Sequence, residues 1–175
     1  MTTQYGFYVE TQRCIDCFAC ELACKQWHGI KAGTVTWRKV HEIASGKFPS
    51  VTRTFLSLSC MHCGDPACAA VCPTGAISKR AEDGIVLVDQ AKCIGCHYCF
   101  YACPFGIPQY DQDGKMAKCD FCLDRLQDGK EPACVATCPA GALHSGTLEE
   151  LARLAEQKAA IRLAASTDPS ILISK

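Results

Sequence analysis

The sequence has no excess charge of either sign, no apolar run long enough to span a bilayer and none of the common catalytic signatures. Its 18 lysines and arginines balance 18 aspartates and glutamates. There is accordingly no basic field for nucleic acid and no acidic solvating tail. The longest apolar stretches, "IVLV" and the alanine-rich part of the C-terminal segment, fall far short of the roughly 20 residues that a membrane helix needs. No direct membrane span is expected. The opening "MTTQYGFYVETQR" lacks a charged start, an apolar run, a cleavage site and a twin arginine. The expectation is a chain with no export address of its own, cytoplasmic unless a signal-bearing partner carries it to the periplasmic face. A phosphate-cradling glycine loop, G-x-S-x-G and a metalloprotease helix are also missing.

What the sequence does have is cysteine, 16 in 175 residues. They fall into four sets with none left over: Cys14, Cys17, Cys20, Cys24; Cys60, Cys63, Cys68, Cys72; Cys93, Cys96, Cys99, Cys103; and Cys119, Cys122, Cys134, Cys138. Three sets end alike, in "CPTGAI", "CPFGIP" and "CPAGAL". This is an internal repeat, and it narrows the chemistry.

Disulfides fit poorly, because neighbours in C-x2-C pairs do not close useful loops and nothing directs the chain to an oxidising compartment. Zinc is the serious rival, since paired C-x2-C motifs make tetrahedral sites, but these join two pairs across a long spacer and need no third cysteine two residues on. The run C-x2-C-x2-C-x3-C-P is instead the bacterial signature for [4Fe–4S] clusters, in which three cysteines wrap one cubane and the fourth reaches the other cluster of a pair. The third set matches it in full. The first lacks only the proline, and the second and fourth lengthen one spacer. Sixteen thiolates in four such sets predict four cubanes. An oxidised core is formally 2+ and takes four thiolates, so four sites bring about −8 to a chain that is otherwise neutral.

Five histidines remain, His28, His41, His62, His97 and His144. Each cysteine set is already complete, so a histidine ligand is not expected; these residues lie on the surface or tune a cluster by a hydrogen bond to sulfur. Trp27, Trp37 and Tyr98 are expected to pack around clusters and exclude water. With no substrate site in view, the chain is expected to move electrons rather than to make bonds, as a non-catalytic subunit.

Between the sets, "YGFYVE", "TVTWRKV", "TFLSLS" and "GIVLVD" read as short strands, and "QYDQDGKMAKC" as a hairpin turning at Asp113-Gly114. The cysteine-dense pieces read as loops leading into single helical turns. "TLEELARLAEQKAA" reads as a helix with Thr147 and Glu150 in capping-box relation and Leu148, Leu151 and Ala155 on one face. The closing "STDPSILISK" reads as an extended tail, either frayed or lying on a partner.

With the four sets placed, the sequence resembles the four-cluster electron-transfer subunits of the dimethyl sulfoxide reductase family of molybdenum and tungsten enzymes. The resemblance covers nearly its whole length, including "MTTQYGF", "SLSCMHCGDPACAAVCPTGAI", "CIGCHYCFYACPFGIPQY", "KCDFCLDRLQDGKEPACVATCPAGAL" and "DPSILISK". It implies an α+β fold of two pseudo-symmetric ferredoxin-like halves around four [4Fe–4S] clusters. One half comprises 1–50 with 104–146, the other 51–103, and 147–175 forms a C-terminal helix and partner-docking tail. It further implies that Cys14, Cys17, Cys20 and Cys138 hold one cubane and Cys24, Cys119, Cys122 and Cys134 its neighbour. Cys60, Cys63, Cys68 and Cys103 then hold a third, and Cys72, Cys93, Cys96 and Cys99 a fourth. The Cys14 cluster is expected nearest the molybdenum- or tungsten-pterin of a catalytic partner, with electrons passing to or from a quinol-linked membrane anchor, another redox subunit or a soluble carrier. A similar small subunit accompanies certain tungsten aldehyde oxidoreductases, which leaves open further copies of this chain assembled into a conducting filament. A free polyferredoxin and a zinc-binding adaptor are the remaining readings.

Overall fold

The computed structural model describes residues 3–156 and 158–174. In chain order the elements are β1 (Tyr5–Glu10), α1 (Ala19–Trp27), β2 (Arg38–Lys47), β3 (Ser50–Ser59), α2 (Ala67–Ala70), β4 (Ile77–Lys79), β5 (Val86–Val88), α3 (Tyr98–Ala102), β6 (Gln109–Tyr110), β7 (Met116–Ala117), α4 (Leu123–Gln127), α5 (Ala133–Ala136), β8 (Leu143–Thr147), α6 (Leu148–Ala155), β9 (Ile161–Arg162) and β10 (Ile171–Ser174). The fold is α+β. Most elements are a few residues long, because the segments linking them are committed to wrapping thiols.

β1 is buried on both faces, and its period of two assigns them. Phe7 and Val9 face a core that contains Cys20, Cys60, Cys119 and Cys134. Tyr8 faces the opposite layer, against Leu151 and Ala155 of α6 and Leu172 of β10. β1 lies between β8, antiparallel, and β10, parallel, in a four-stranded sheet of order β8-β1-β10-β9. The sheet thus closes the sulfur-rich core on one side, and α6 closes the sheet.

The tail is not frayed: it forms a strand of the protein's own sheet. Ile171 pairs with Phe7 and Ser174 with Glu10, the Tyr8 hydroxyl meets Ser174 Oγ at 2.9 Å, and the Thr11 hydroxyl donates to the Ser174 carbonyl at 2.8 Å. Its apolar alternation serves this protein's own sheet. Lys175 lies outside the described residues.

The second difference from expectation is β2. Of "TVTWRKV" only Arg38–Val40 is strand, and the strand continues to Lys47 as a ten-residue ladder with β3. The distal part of this hairpin, from His41 to Lys47 and from Ser50 to Arg53, is exposed, so its sequence carries no apolar alternation to announce a strand. The expected boundary at 50/51 falls beside its tip. The hairpin at Asp113-Gly114 forms as expected, with Tyr110 opposite Met116, as does the start of the helix after Thr147, with Leu151 and Ala155 buried and Leu148 half-buried, but the helix ends at Ala155 rather than running on to Ala160.

Among the described residues no helix is long and apolar enough to cross a membrane. The capping box of α6 has both bonds, Glu150 N–H to the Thr147 hydroxyl at 3.2 Å and Thr147 N–H to the Glu150 carboxylate at 2.8 Å. Thr147→Ala should cost about 1 kcal/mol, raising amide exchange in the first turn of α6 roughly fivefold. Hydrogen-exchange mass spectrometry checks this, and unchanged exchange would mean that packing alone holds the helix start.

Candidate metal centres

The loops that carry the thiols share an unusual backbone. Asp16 and Phe18 flank Cys17 at φ 58° and 57°, and Gly95 and His97 flank Cys96 at 68° and 66°. His62 precedes Cys63 at 41°, and Phe121 and Cys122 lie at 66° and 50°. Bulky side chains rarely adopt this left-handed region, and each costs of order 1–3 kcal/mol unless surroundings impose it. Alternating such residues with ordinary ones turns successive N–H groups toward one point, a nest for an anionic centre.

The repeated Cys-Pro-x-Gly is a second device. The glycine N–H closes a turn onto the cysteine carbonyl at Gly75, Gly106 and Gly141, at 3.1–3.2 Å, and all three glycines have φ between 55° and 61°. The turn then lays amides on the sulfur: Ala142 N–H donates to Cys138 Sγ at 3.3 Å. Burial pushes the Cys72 thiol up, but the Thr74 hydroxyl and the amides of Ile77, Thr74 and Ala76 outweigh it and hold it below the usual range. Elsewhere Met116 N–H donates to Cys93 and Phe121 N–H to Cys119, both at 3.4 Å. Hydroxyls of Ser57 and Tyr110 lie 3.4 Å from Cys20 and Cys99.

Tertiary packing gathers the thiols across sets. Cys14, Cys17, Cys20 and Cys138 line one cavity, and Cys72, Cys93, Cys96 and Cys99 line another. α1 packs on α5, and α2 on α3, so the first set meets the fourth and the second meets the third. Burial pushes Cys24 up to about 12, with Cys134 and Cys122 adding to it, and Cys68 up to about 12, with Cys60, Cys103 and Cys63 adding. Cys122 is likewise pushed up to about 12 by burial, with Cys134 among the charges that add to it. Cys119 is also held well above the usual thiol range, mainly by burial, with Cys24, Cys134 and Cys60 adding to it. Thiols this buried become thiolates only against a compensating positive centre.

The spacing of the thiols constrains what that centre is. Four thiolates on one zinc lie about 3.8 Å apart, yet among the described residues the only three such ligand atoms within 4.8 Å of one another are those of His28, Asp120 and Cys122. The thiol sets are held too wide for a single tetrahedral ion, and suit a multinuclear core. In addition, among the described residues Trp37 Nε1, Arg38 Nε and His62 Nε2 are buried without a partner. Arg38 lies beside Cys20, Cys24, Cys119 and Cys134. A buried donor left over at the thiols fits a group that brings its own acceptors, as cluster sulfides do.

Some side chains lie elsewhere than expected. The histidine that touches a thiol is His28, outside every set, with Nε2 3.3 Å from Cys122 Sγ and its ring against Trp37. His62, fully buried, accepts the Val86 N–H on Nδ1, and burial with the Lys118 and Arg38 charges keeps it neutral. His97 stacks on Tyr110 at 3.7 Å, His41 is exposed, and His144 bonds Glu10 at 2.8 Å. Trp37 packs against the core, but Trp27 and Tyr98 are 45% and 59% exposed; Trp27 is held at the surface by Asp124 and by Arg125 over its ring. Two buried cations went unsuspected in the sequence, Arg38 and Lys118, the latter donating to the carbonyls of Val86 and Cys119. Only an unpaired charge within an otherwise apolar or thiol-flanked stretch could have signalled them.

Comparison with known proteins agrees with this geometry. Residues 51–148 match a family described as "4Fe-4S dicluster domain", and residues 13–76 match a second family of the same description. A component of the anaerobic dimethyl sulfoxide reductase of Escherichia coli (strain K12) is 46% identical over 99% of this protein and 89% of its own length. The formate dehydrogenase iron-sulfur subunit of Wolinella succinogenes is 40% identical over 87% of this protein and 86% of its own length. A sulfite dehydrogenase subunit of Allochromatium vinosum is 38% identical over 85% and 70%. The protein therefore belongs to the family of four-cluster [4Fe–4S] electron-transfer subunits typified by that of anaerobic dimethyl sulfoxide reductase.

Proposed function

We propose that this protein relays single electrons between a molybdenum- or tungsten-pterin catalytic subunit and a second redox partner, along four clusters held by the cross-paired sets. Cys14, Cys17, Cys20 and Cys138 hold the first; Cys24, Cys119, Cys122 and Cys134 the second; Cys60, Cys63, Cys68 and Cys103 the third; Cys72, Cys93, Cys96 and Cys99 the fourth. The observation that carries this reading is the pair of cavities, one lined by all four proposed ligands of the first cluster and the other by all four of the fourth. Two pseudo-symmetric halves follow, each built where a pair of cysteine sets meets.

A bound [4Fe–4S] cluster supplies a one-electron couple whose potential its surroundings set over roughly −700 to +450 mV. The protein supplies order and insulation. Cys20 and Cys24 share α1 and so tie the first site to the second, while Cys119 and Cys60 share one core and tie the second to the third. Cys68 lies in α2 with Cys72 just past its end, and Cys99 lies in α3 with Cys103 at its C-cap; these pairs tie the third to the fourth.

Both terminal sites lie under exposed apolar side chains. Ile15 and Phe18 line the first, and Ile94 and Tyr98 the fourth. Such patches suit docking partners, with the catalytic subunit at the first site. The substrate class belongs to that partner, and a quinol link runs through another subunit. Location follows the partner too.

Gentle anaerobic purification from the native host, with mass spectrometry and metal analysis, tests the role. A large partner bearing molybdenum or tungsten, with about sixteen irons per copy of this protein, is expected. Zinc without iron would reject the reading, iron without a partner would leave a free polyferredoxin, and a ladder of masses would indicate self-association. The pairing is tested by Cys24→Ser. About four irons should be lost, together with the electron-paramagnetic signal that Cys122→Ser also removes, while the signal removed by Cys14→Ser persists. Loss confined to the Cys14 signal would refute the pairing.

A further inference from the structure

Arg38 opens β2 with its side chain almost wholly buried, 1% exposed. Its guanidinium donates to the Ser57 carbonyl at 3.3 Å, the Ser57 hydroxyl at 3.2 Å and the Ser59 hydroxyl at 2.8 Å. It also lies 4.4 Å over the Phe7 ring. No ion pair among the described residues includes it, and its Nε has no partner. A cation taken out of water without an anion is costly, so a position like this is tenable only beside compensating negative charge.

The negative charge available is sulfur. Ser57 Oγ, which touches the guanidinium, is 3.4 Å from Cys20 Sγ. Burial opposes the charge on Arg38, and Cys134, Cys119, Cys20 and Cys24 together overcome that opposition. On the proposed ligand assignment, on which this inference rests, Cys20 belongs to the first cluster and the other three to the second. Arg38 therefore interacts with ligands of both.

We propose that Arg38 is the fixed counter-charge shared by the first two clusters and raises the reduction potential of both. The physical reason is direct. Each site accepts one electron from its neighbour or from the redox partner, and its net charge goes from about −2 to about −3. A stationary positive charge in a poorly screened interior favours the more negative state. A guanidinium keeps that charge at every working pH, so the bias is constant. Sharing one cation also moves the two potentials together, which keeps the step between them small whatever their common value.

The test uses the anaerobically purified holo-complex and redox titration followed by electron paramagnetic resonance, with signals assigned by their loss in Cys14→Ser and Cys24→Ser. Arg38→Gln should make the first two clusters about tenfold harder to reduce, roughly 59 mV lower, and leave the other two unmoved. Arg38→Lys should retain most of the wild-type potential. Ser59→Asp keeps Arg38 but gives it a carboxylate partner, and should lower the same two potentials. Fully loaded Arg38→Gln or Ser59→Asp complexes with unchanged potentials would overturn the proposal, as would an equal shift of all four clusters. If Arg38→Gln fails to load iron, Ser59→Asp decides; if Arg38→Lys also fails, the residue is structural and the proposal falls. A shift confined to two clusters that Cys14→Ser and Cys24→Ser leave intact would instead reject the ligand assignment while preserving a tuning role for the cation.

Discussion

Thiols bind iron as thiolates, and gathering sixteen of them in a dry interior is a problem of negative charge. Burial, with the neighbouring thiols adding to it, raises Cys24, Cys68 and Cys122 to about 12, which means that the folded protein resists ionising its own ligands until a positive core is present. The remaining architecture answers that resistance. Left-handed residues such as Phe18, Phe121 and Cys122 accept backbone cost to turn N–H groups inward. The Cys-Pro-x-Gly turns place amides on the last cysteine of a set, and Arg38 and Lys118 place full charges inside the core.

The same constraint explains why ordinary secondary structure is so sparse. Loops that must wrap a cluster cannot also form long helices or strands, so the apolar work falls on a small sheet. β1 serves two layers at once, with Phe7 stacked 4.4 Å from Phe121 on the cluster side and Tyr8 against α6 on the other. β10 completes that sheet from the far end of the sequence. Dryness on the cluster side matters to function as well as to stability, because it leaves charges such as Arg38 poorly screened.

Much of the site was legible in one dimension because ligand spacing is local chemistry. Three thiols two residues apart can wrap only one cluster, and a glycine three residues after the last cysteine serves a turn that needs positive φ. The capping box at Thr147 and the turn at Asp113-Gly114 were legible for a similar reason, each being set by residues only a few positions apart. The distal half of the β2–β3 hairpin was not, since both its faces are exposed and no apolar period marks it. Which of the five histidines would meet a thiol was not legible either, because His28 reaches Cys122 across 94 positions.

The sequence by itself thus determined the ligand count, the cluster type and the absence of any local catalytic motif, because each depends on residues close together along the backbone. The tertiary structure decided which thiols share a cavity, that the tail is a strand of the central sheet rather than a free arm, and that a lone guanidinium lies among the thiols of two sets. Those outcomes depend on packing between distant segments. Spacing cannot encode it, since Cys20 and Cys138 or Phe7 and Ile171 become neighbours only when the whole protein has closed around its sulfur core.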